Sequence, residues 1–269
     1  MRRAALPLVA GALAGCGGGV PLLHPARTLD SGQVRAATGL SGTFAVGSLA
    51  DSLHAARTEA ATNPNLPGTP GSDPTYARGA LVSAAVAPGL APFVGARVGI
   101  GASAEGGLAY TGRGARVDIR RSFDFGQWSV SLGAGGDAAF YGALQGGDLP
   151  YVDLRSLKGY GIDVPVLLGW QSRAGLYMMW VGPRGGWEHD SIETLTSEPR
   201  PNLPGEAISL SVTRYWVGGV VGGAVGFRHV HVALEVQVAY QTLSGAYNST
   251  QVDVSGESVT PAAAMWWDF

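Results

Sequence analysis

Between Val230 and Thr242 the chain alternates almost without interruption. Val230, Val232, Leu234, Val236, Val238 and Tyr240 fall on one side, and His231, Ala233, Glu235, Gln237, Ala239 and Gln241 on the other. A repeat of two puts successive side chains on opposite faces of a β-strand. The same period recurs at lower contrast. Ile162, Val164, Val166, Leu168 and Trp170 alternate with Asp163, Pro165, Leu167, Gly169 and Gln171, and Trp128, Val130 and Leu132 with Ser129, Ser131 and Gly133. Over 115–123, Ala115, Val117, Ile119 and Phe123 oppose Arg116, Asp118, Arg120 and Ser122, with Arg121 breaking the apolar side. The run Val217 to Phe227 carries Gly218, Gly222 and Gly226 at a helix-pairing interval. It is too short to cross a bilayer as a helix and reads as a Gly-rich strand.

Extended over the chain, the pattern predicts strands near 33–48, 78–88, 92–102, 107–124, 127–141, 158–171, 175–189, 209–227, 230–243 and 258–269. Pro88 to Ala91, Phe125-Gly126, Ser172 to Ala174 and Arg228-His229 read as tight links, and 49–77, 142–157, 190–208 and 244–257 as long ones. The short link near Ser103 to Gly106 falls where this alternation asks for a long one. A hairpin turning at Gly112 to Gly114 is the other reading of that region, so eight or twelve strands also fit. Phe93, Phe123, Trp128, Trp170, Tyr177, Phe227 and Trp267 gather near the tight-turn ends, and Tyr141, Tyr160, Trp187, Tyr215 and Tyr240 near the other.

Composition decides which environment the apolar side meets. Charged residues make up only 14% of the chain and Gly reaches 42 of 269, yet there is no continuous apolar run of about 20 residues. Without spanning helices, a closed barrel is the remaining way to satisfy a backbone in lipid. The expectation is an all-β, antiparallel up-and-down transmembrane β-barrel of about ten strands, with lipid outside and a polar lumen. A soluble, lipid-tethered β-sandwich also uses period-two strands, but outward rows of Val, Leu and Trp would gain nothing in water.

The two ends carry addresses. Arg2 and Arg3, the apolar stretch Leu6 to Leu13, and Leu13-Ala14-Gly15-Cys16 form an export signal. Its last four residues resemble a bacterial lipobox, which implies lipidation of Cys16, the only cysteine. Gly17 stands where an Asp would imply inner-membrane retention. The expected division is therefore a signal peptide at 1–15, a flexible Gly/Pro-containing tether at 16–31, and an outer-membrane barrel at 32–269. The carboxyl terminus, with Val259, Ala263, Met265, Trp267 and Phe269 in register and Pro261 interrupting it, resembles the signal read by the barrel-assembly machinery of Gram-negative bacteria. Loss of the two signal arginines leaves 16 basic against 20 acidic residues, 16 − 20 = −4, and no basic patch suggests nucleic acid.

The candidate chemistry lies inside. Arg97, Arg116, Asp118, Arg120, Asp163, Arg214, His231, Glu235 and Gln237 are assigned to the lumen, as a side-chain network plugging a narrow bore or as the charged lining of a pore. His231 and Glu235 share a face but stand about 13 Å apart along one strand, too far to bond directly. Glu188-His189-Asp190 is the one cluster with acid–base composition, at the mouth of a long link. The ten-stranded architecture resembles the omptin proteases, which implies a catalytic rim, but this chain lacks that family's paired Asp in the second long link. Adjacent strand residues also point His189 away from both neighbours. No zinc spacing, phosphate loop or nucleophile elbow is present. The reading is a noncatalytic barrel without a cofactor, in contact with outer-membrane lipid and with a small solute or surface ligand. It serves as a narrow channel or as a surface-binding or structural envelope protein. The alternative is a rim-active hydrolase, omptin-like or lipid-modifying.

Overall fold

A computed structural model describes residues 19–62, 73–140, 149, 152, 154–196 and 207–269. Ten strands close into one antiparallel barrel, each paired with its sequence neighbours and the last with the first. They are β1 (Val34–Val46), β2 (Gly89–Gly101), β3 (Ala104–Thr111), β4 (Gly114–Phe125), β5 (Trp128–Phe140), β6 (Leu157–Gln171), β7 (Tyr177–Thr196), β8 (Ala207–Phe227), β9 (Val230–Tyr247) and β10 (Thr250–Asp268). Closure leaves no sheet edge, because Arg35 pairs with Asp268 and Val46 with Glu257 along the β1–β10 seam.

The expected number of strands is met by two misplacements that offset one another. The segment 78–88 is not a strand: Pro74–Ala85 is helix α2, following helix α1 (Ser48–Thr62). Asp73 caps α2 by accepting the Thr75 N–H at 2.6 Å, with Pro74 in the first turn. The Ala-rich run behind it is buried nearly all round, which abolishes the one-sided pattern that marks most helices. In the other direction, 107–124 is two strands, β3 and β4, meeting at Gly112-Arg113. The turn at Ala102-Ser103 therefore lies at the same end as the turns at 126–127, 172–176 and 228–229, and the links that depart from the alternation are the two-residue turns at Gly112-Arg113 and Asn248-Ser249 on the opposite end. The tight link at 88–91 belongs to the opposite end, where α2 enters β2.

The strands differ in height. β7 to β10 run 18–21 residues, whereas β3 has 8 and β4 has 12. The segment 244–257, expected to be a loop, is the upper part of β9 and β10 around a tight turn at Asn248-Ser249. Polarity reverses along these two strands. Below the paired residues Tyr240 and Glu257, the outer face is Val232, Leu234, Val236 and Val238. Above them it is Thr242, Ser244, Gln251, Asp253 and Ser255, while Leu243, Tyr247, Val252 and Val254 turn inward and are buried. One uninterrupted alternation thus crosses from a lipid-facing to a water-facing outer surface, and Tyr240 marks the boundary.

The inner face of the tall wall holds α1 and α2. Leu49, Leu53, Tyr76 and Leu81 pack against Ile192, Leu210, Val212, Leu243, Tyr247, Val252 and Val254. Each fully buried Leu in that cluster contributes about 1.5–3 kcal/mol. The rings of Tyr76 and Tyr247 meet edge to face at 5.4 Å, and burial pushes the Tyr76 phenol above its usual range, so it stays protonated. Exposed aromatic rings form two girdles on the outside: Phe123, Phe125, Trp128, Tyr177, Phe227 and Phe269 at the turn end, and Tyr110, Phe140, Tyr160, Tyr215 and Tyr240 towards the other. Phe93, assigned to the first girdle, points inward and is buried, because β2 places Phe93 in phase with Arg97 rather than with Val94. No helix among the described residues is long and apolar enough to cross a membrane.

Candidate functional site

The lumen is an ordered stack of ion pairs. At the turn end, Arg35 Nε lies 2.6 Å from Asp268 Oδ1, with the guanidinium 4.5 Å from the Trp266 ring centre. Higher up, Glu105 takes Arg97 and Arg120, the latter through Nε at 2.7 Å, and Asp118 takes Arg97 and Arg116. Asp163 bridges Arg116 Nε and Arg184 Nε, each at 2.8 Å. Nearest the helices, Arg113 and Arg214 hold Glu188, and Arg113 Nη2 also reaches Asp190 at 2.8 Å. Buried charges are tolerable only with such reciprocal pairing.

A strand of chain with no partner in the sheet threads this stack. Residues 19–31, expected to be a flexible tether, are packed inside the barrel. The chain leaves β1 at the turn end, where the Gly32 N–H donates to Gly99 O at 2.8 Å, and climbs to Gly19 beside Thr43 and Thr260. Leu22, Leu23 and Ala26 are buried among Phe93, Leu167, Met178, Trp180, Val220 and Trp266. Burial of two leucines and satisfaction of the segment's backbone by the wall outweigh the freedom that a Gly/Pro-containing tether would keep in water. Above the plug and below α2 remains a cavity of about 60 Å3, lined by Gly19, Val20, Arg113, Asp137, Trp216 and Gln237 among others. That is room for a few water molecules.

Each assigned lumen residue can be placed. Arg97, Arg116, Asp118, Arg120, Asp163 and Arg214 enter the ion-pair stack. Gln237 Oε1 accepts from Arg184 at 2.9 Å. His231 and Glu235 serve different partners: His231 Nε2 lies 3.1 Å from Gly175 O, and Glu235 accepts from Leu22 N, Leu23 N and Trp180 Nε1. Met265 and Trp267 lie in the outer row of β10 at the turn end, and exposed Phe269 follows the strand's last residue. Cys16 lies outside the described residues.

The structure divides Glu188-His189-Asp190. Glu188 and Asp190 face inward into the arginines, while His189 faces outward, 3.0 Å from Thr213 Oγ1 and beside Tyr160. No acid–base trio exists at this position. Among the described residues, no cluster of His, Cys, Asp and Glu could hold a metal ion. The sequence reading misses Arg35, Glu105, Arg113 and Arg184. Glu105 becomes visible once the hairpin at Gly112-Arg113 is drawn, but Arg113 sits in that turn, where alternation says nothing. Arg184 is hidden because Trp180 lies inward and Pro183 and Gly185 outward, inverting the usual contrast along β7.

No protein-family model matches the chain, and no curated protein matches it. Similarity appears only among solved structures. Neisserial surface protein A is 11% identical, with 88% of this chain and 96% of that one covered and a TM-score of 0.34. A major outer membrane protein from Thermus thermophilus is 17% identical, over 66% of this chain and 99% of that one, at 0.32. Outer membrane phospholipase A from Escherichia coli is 10% identical, over 90% and 97%, at 0.24. Superpositions this loose carry no functional argument. The chain's own closed sheet, twin girdles and filled lumen define its class, a plugged ten-stranded β-barrel with a lipid-facing belt.

Proposed function

We propose that this protein is a noncatalytic outer-membrane barrel, closed at rest, that holds a helical cap and its neighbouring loops at the cell surface as a structural or ligand-binding element. The carrying observation is the double closure of the lumen, by residues 19–31 below and by the apolar seat of α1 and α2 above. A permeation path would have to displace both, and the upper closure is a hydrophobic core rather than a polar contact. The outward girdles support insertion in a membrane, and the β10 outer row with Met265 and Trp267, followed by Phe269, supports assembly as a bacterial barrel. The polar outer surface above Tyr240 supports an extracellular position for the tall wall and the cap. The motif ending in Cys16 supports a lipid anchor on molecules whose plug has left the lumen, closure from below belonging to the form without the lipid.

Planar-bilayer recording of the purified full chain tests this reading. The expected trace shows no discrete openings above background. Stable unit conductances would overturn closure at rest and install the narrow-channel reading in its place. A rim-active hydrolase finds no support in the arrangement of Glu188, His189 and Asp190.

A further inference from the structure

The contacts that seat the plug have an unusual distribution. Nine of its main-chain groups bond to side chains of the barrel wall: the carbonyls of Gly19, Val20, Pro25, Ala26 and Arg27, and the N–H groups of Leu22, Leu23, Thr28 and Leu29. Their partners are Ser41, Arg184, Arg120, Glu235, Ser122 and Glu105. The carboxylate of Glu235 receives two consecutive N–H groups, at 2.7 and 2.9 Å, and Arg120 spans three consecutive carbonyls. Every one of these bonds addresses backbone that any non-proline residue would offer, Pro25 offering its carbonyl.

The wall also has room cut for this chain. At Gly169 an added Cβ would lie 2.6 Å from Ala26 Cβ, and at Gly99 it would lie 2.0 Å from Asp30 O. Beside the bonds are seats for Leu22 and Leu23 in an apolar patch formed by Phe93, Trp180, Val220 and Trp266. A bent segment, with Leu23 at a φ of 49°, that is read largely through its backbone and selected through buried Leu22, Leu23, His24 and Ala26 and through the Arg27–Asp124 pair, has the elements of a peptide-binding groove.

We propose that the lower lumen is a binding site for a bent peptide with two adjacent apolar residues and a small residue three positions further on, and that residues 19–31 occupy it in cis. The site is autoinhibited by its own chain. It accepts the same chemistry in trans when the cis segment is released. This does not depend on whether the barrel conducts, so a conducting barrel would leave it standing.

The test uses the full folded chain in detergent. A protease recognition sequence is inserted between Ser31 and Gly32, both exposed at the turn end. After cleavage the freed segment should stay in the barrel, leave under excess synthetic peptide of sequence 19–31, and be replaced by a fluorescent copy of that peptide. Glu235→Ala should speed release by roughly tenfold or more, the scale of losing hydrogen bonds to a charged acceptor. A peptide N-methylated at the positions of Leu22 and Leu23 should fail to replace the segment, which provides the same test in the unsubstituted barrel if Glu235→Ala does not fold. Loss of the barrel's folded, heat-modifiable mobility on cleavage would overturn the proposal, because the segment would then be core and not ligand. Equal replacement by the native and N-methylated peptides would overturn it as well.

Discussion

The carboxylate of Glu235 accepts the main-chain N–H of Leu22 at 2.7 Å, across 213 positions of sequence. That bond, with its neighbours to Leu23 and to the Trp180 indole, leaves three buried donors dependent on Glu235. Glu235→Ala should therefore destabilise the folded barrel by at least about 2 kcal/mol, since each buried donor left unsatisfied costs about 1–3 kcal/mol. Glu235→Gln should recover only part, because one of its two terminal atoms donates instead of accepting. Urea unfolding in lipid vesicles measures both. Equal stability of Glu235→Ala and the parent would show that the plug is not held there.

Lipid depth gives a second expectation. Leu234 is exposed on the outer face of β9, below Tyr240, and Thr242 stands just above it. Leu234→Arg should cost roughly 2–4 kcal/mol if it lies near the bilayer midplane, and Thr242→Arg close to nothing. The same vesicle measurement applied to the two variants checks the boundary. Equal costs would mean that the reversal of polarity at Tyr240 and Glu257 does not mark a membrane surface.

The seat of Ala26 can be blocked from the wall. Gly169→Leu puts a side chain where Ala26 Cβ already lies, so the plug should be displaced while the sheet persists. A cysteine placed at Ala26 in a Cys16→Ala background should resist a water-soluble thiol reagent in the parent barrel and react in the Gly169→Leu barrel. An unreactive probe in both would place the obstruction elsewhere.

Orientation is open to a direct check. In the same Cys16→Ala background, a cysteine at Asn248 should react with an impermeant reagent on intact cells, and cysteines at Gly126 or His229 should not. The reverse pattern would turn the barrel over and put the helical cap on the periplasmic side.

Anchor and plug set a limit on each other. Cys16 precedes Gly19 by three residues, a reach of about 10–11 Å, and Gly19 sits in the lumen against Thr43 and Thr260. An acyl chain on Cys16 cannot enter the inner leaflet of an outer membrane from there, so lipidated molecules should carry an unseated plug. A photo-crosslinking residue at position 26 should therefore join the barrel wall in Cys16→Ala and not in acylated protein. Crosslinking of the acylated form to the wall would show lipid and seated plug in one molecule and overturn this expectation.

The alternation of Val230 to Thr242 is enough to read a strand and its two faces, because a strand's side chains obey a local rule that needs only the next residue but one. The same rule assigns Arg116, Asp118, Arg120, Asp163 and Glu235 to the interior. It cannot say what an apolar face will meet. Leu243 and Leu234 belong to one strand and opposite faces, yet both are apolar, one against helices inside and the other against lipid outside. The partners that make the difference come from α1 and α2, far away in sequence. Helix α2 reads as a strand because complete burial removes its polar face, and burial is a property of the assembled wall. The plug is hidden for the complementary reason. Nothing in the Gly/Pro-containing stretch before Val34 marks order, since its order is supplied by Glu235, Arg120 and Arg184, residues that meet it only when the barrel has closed.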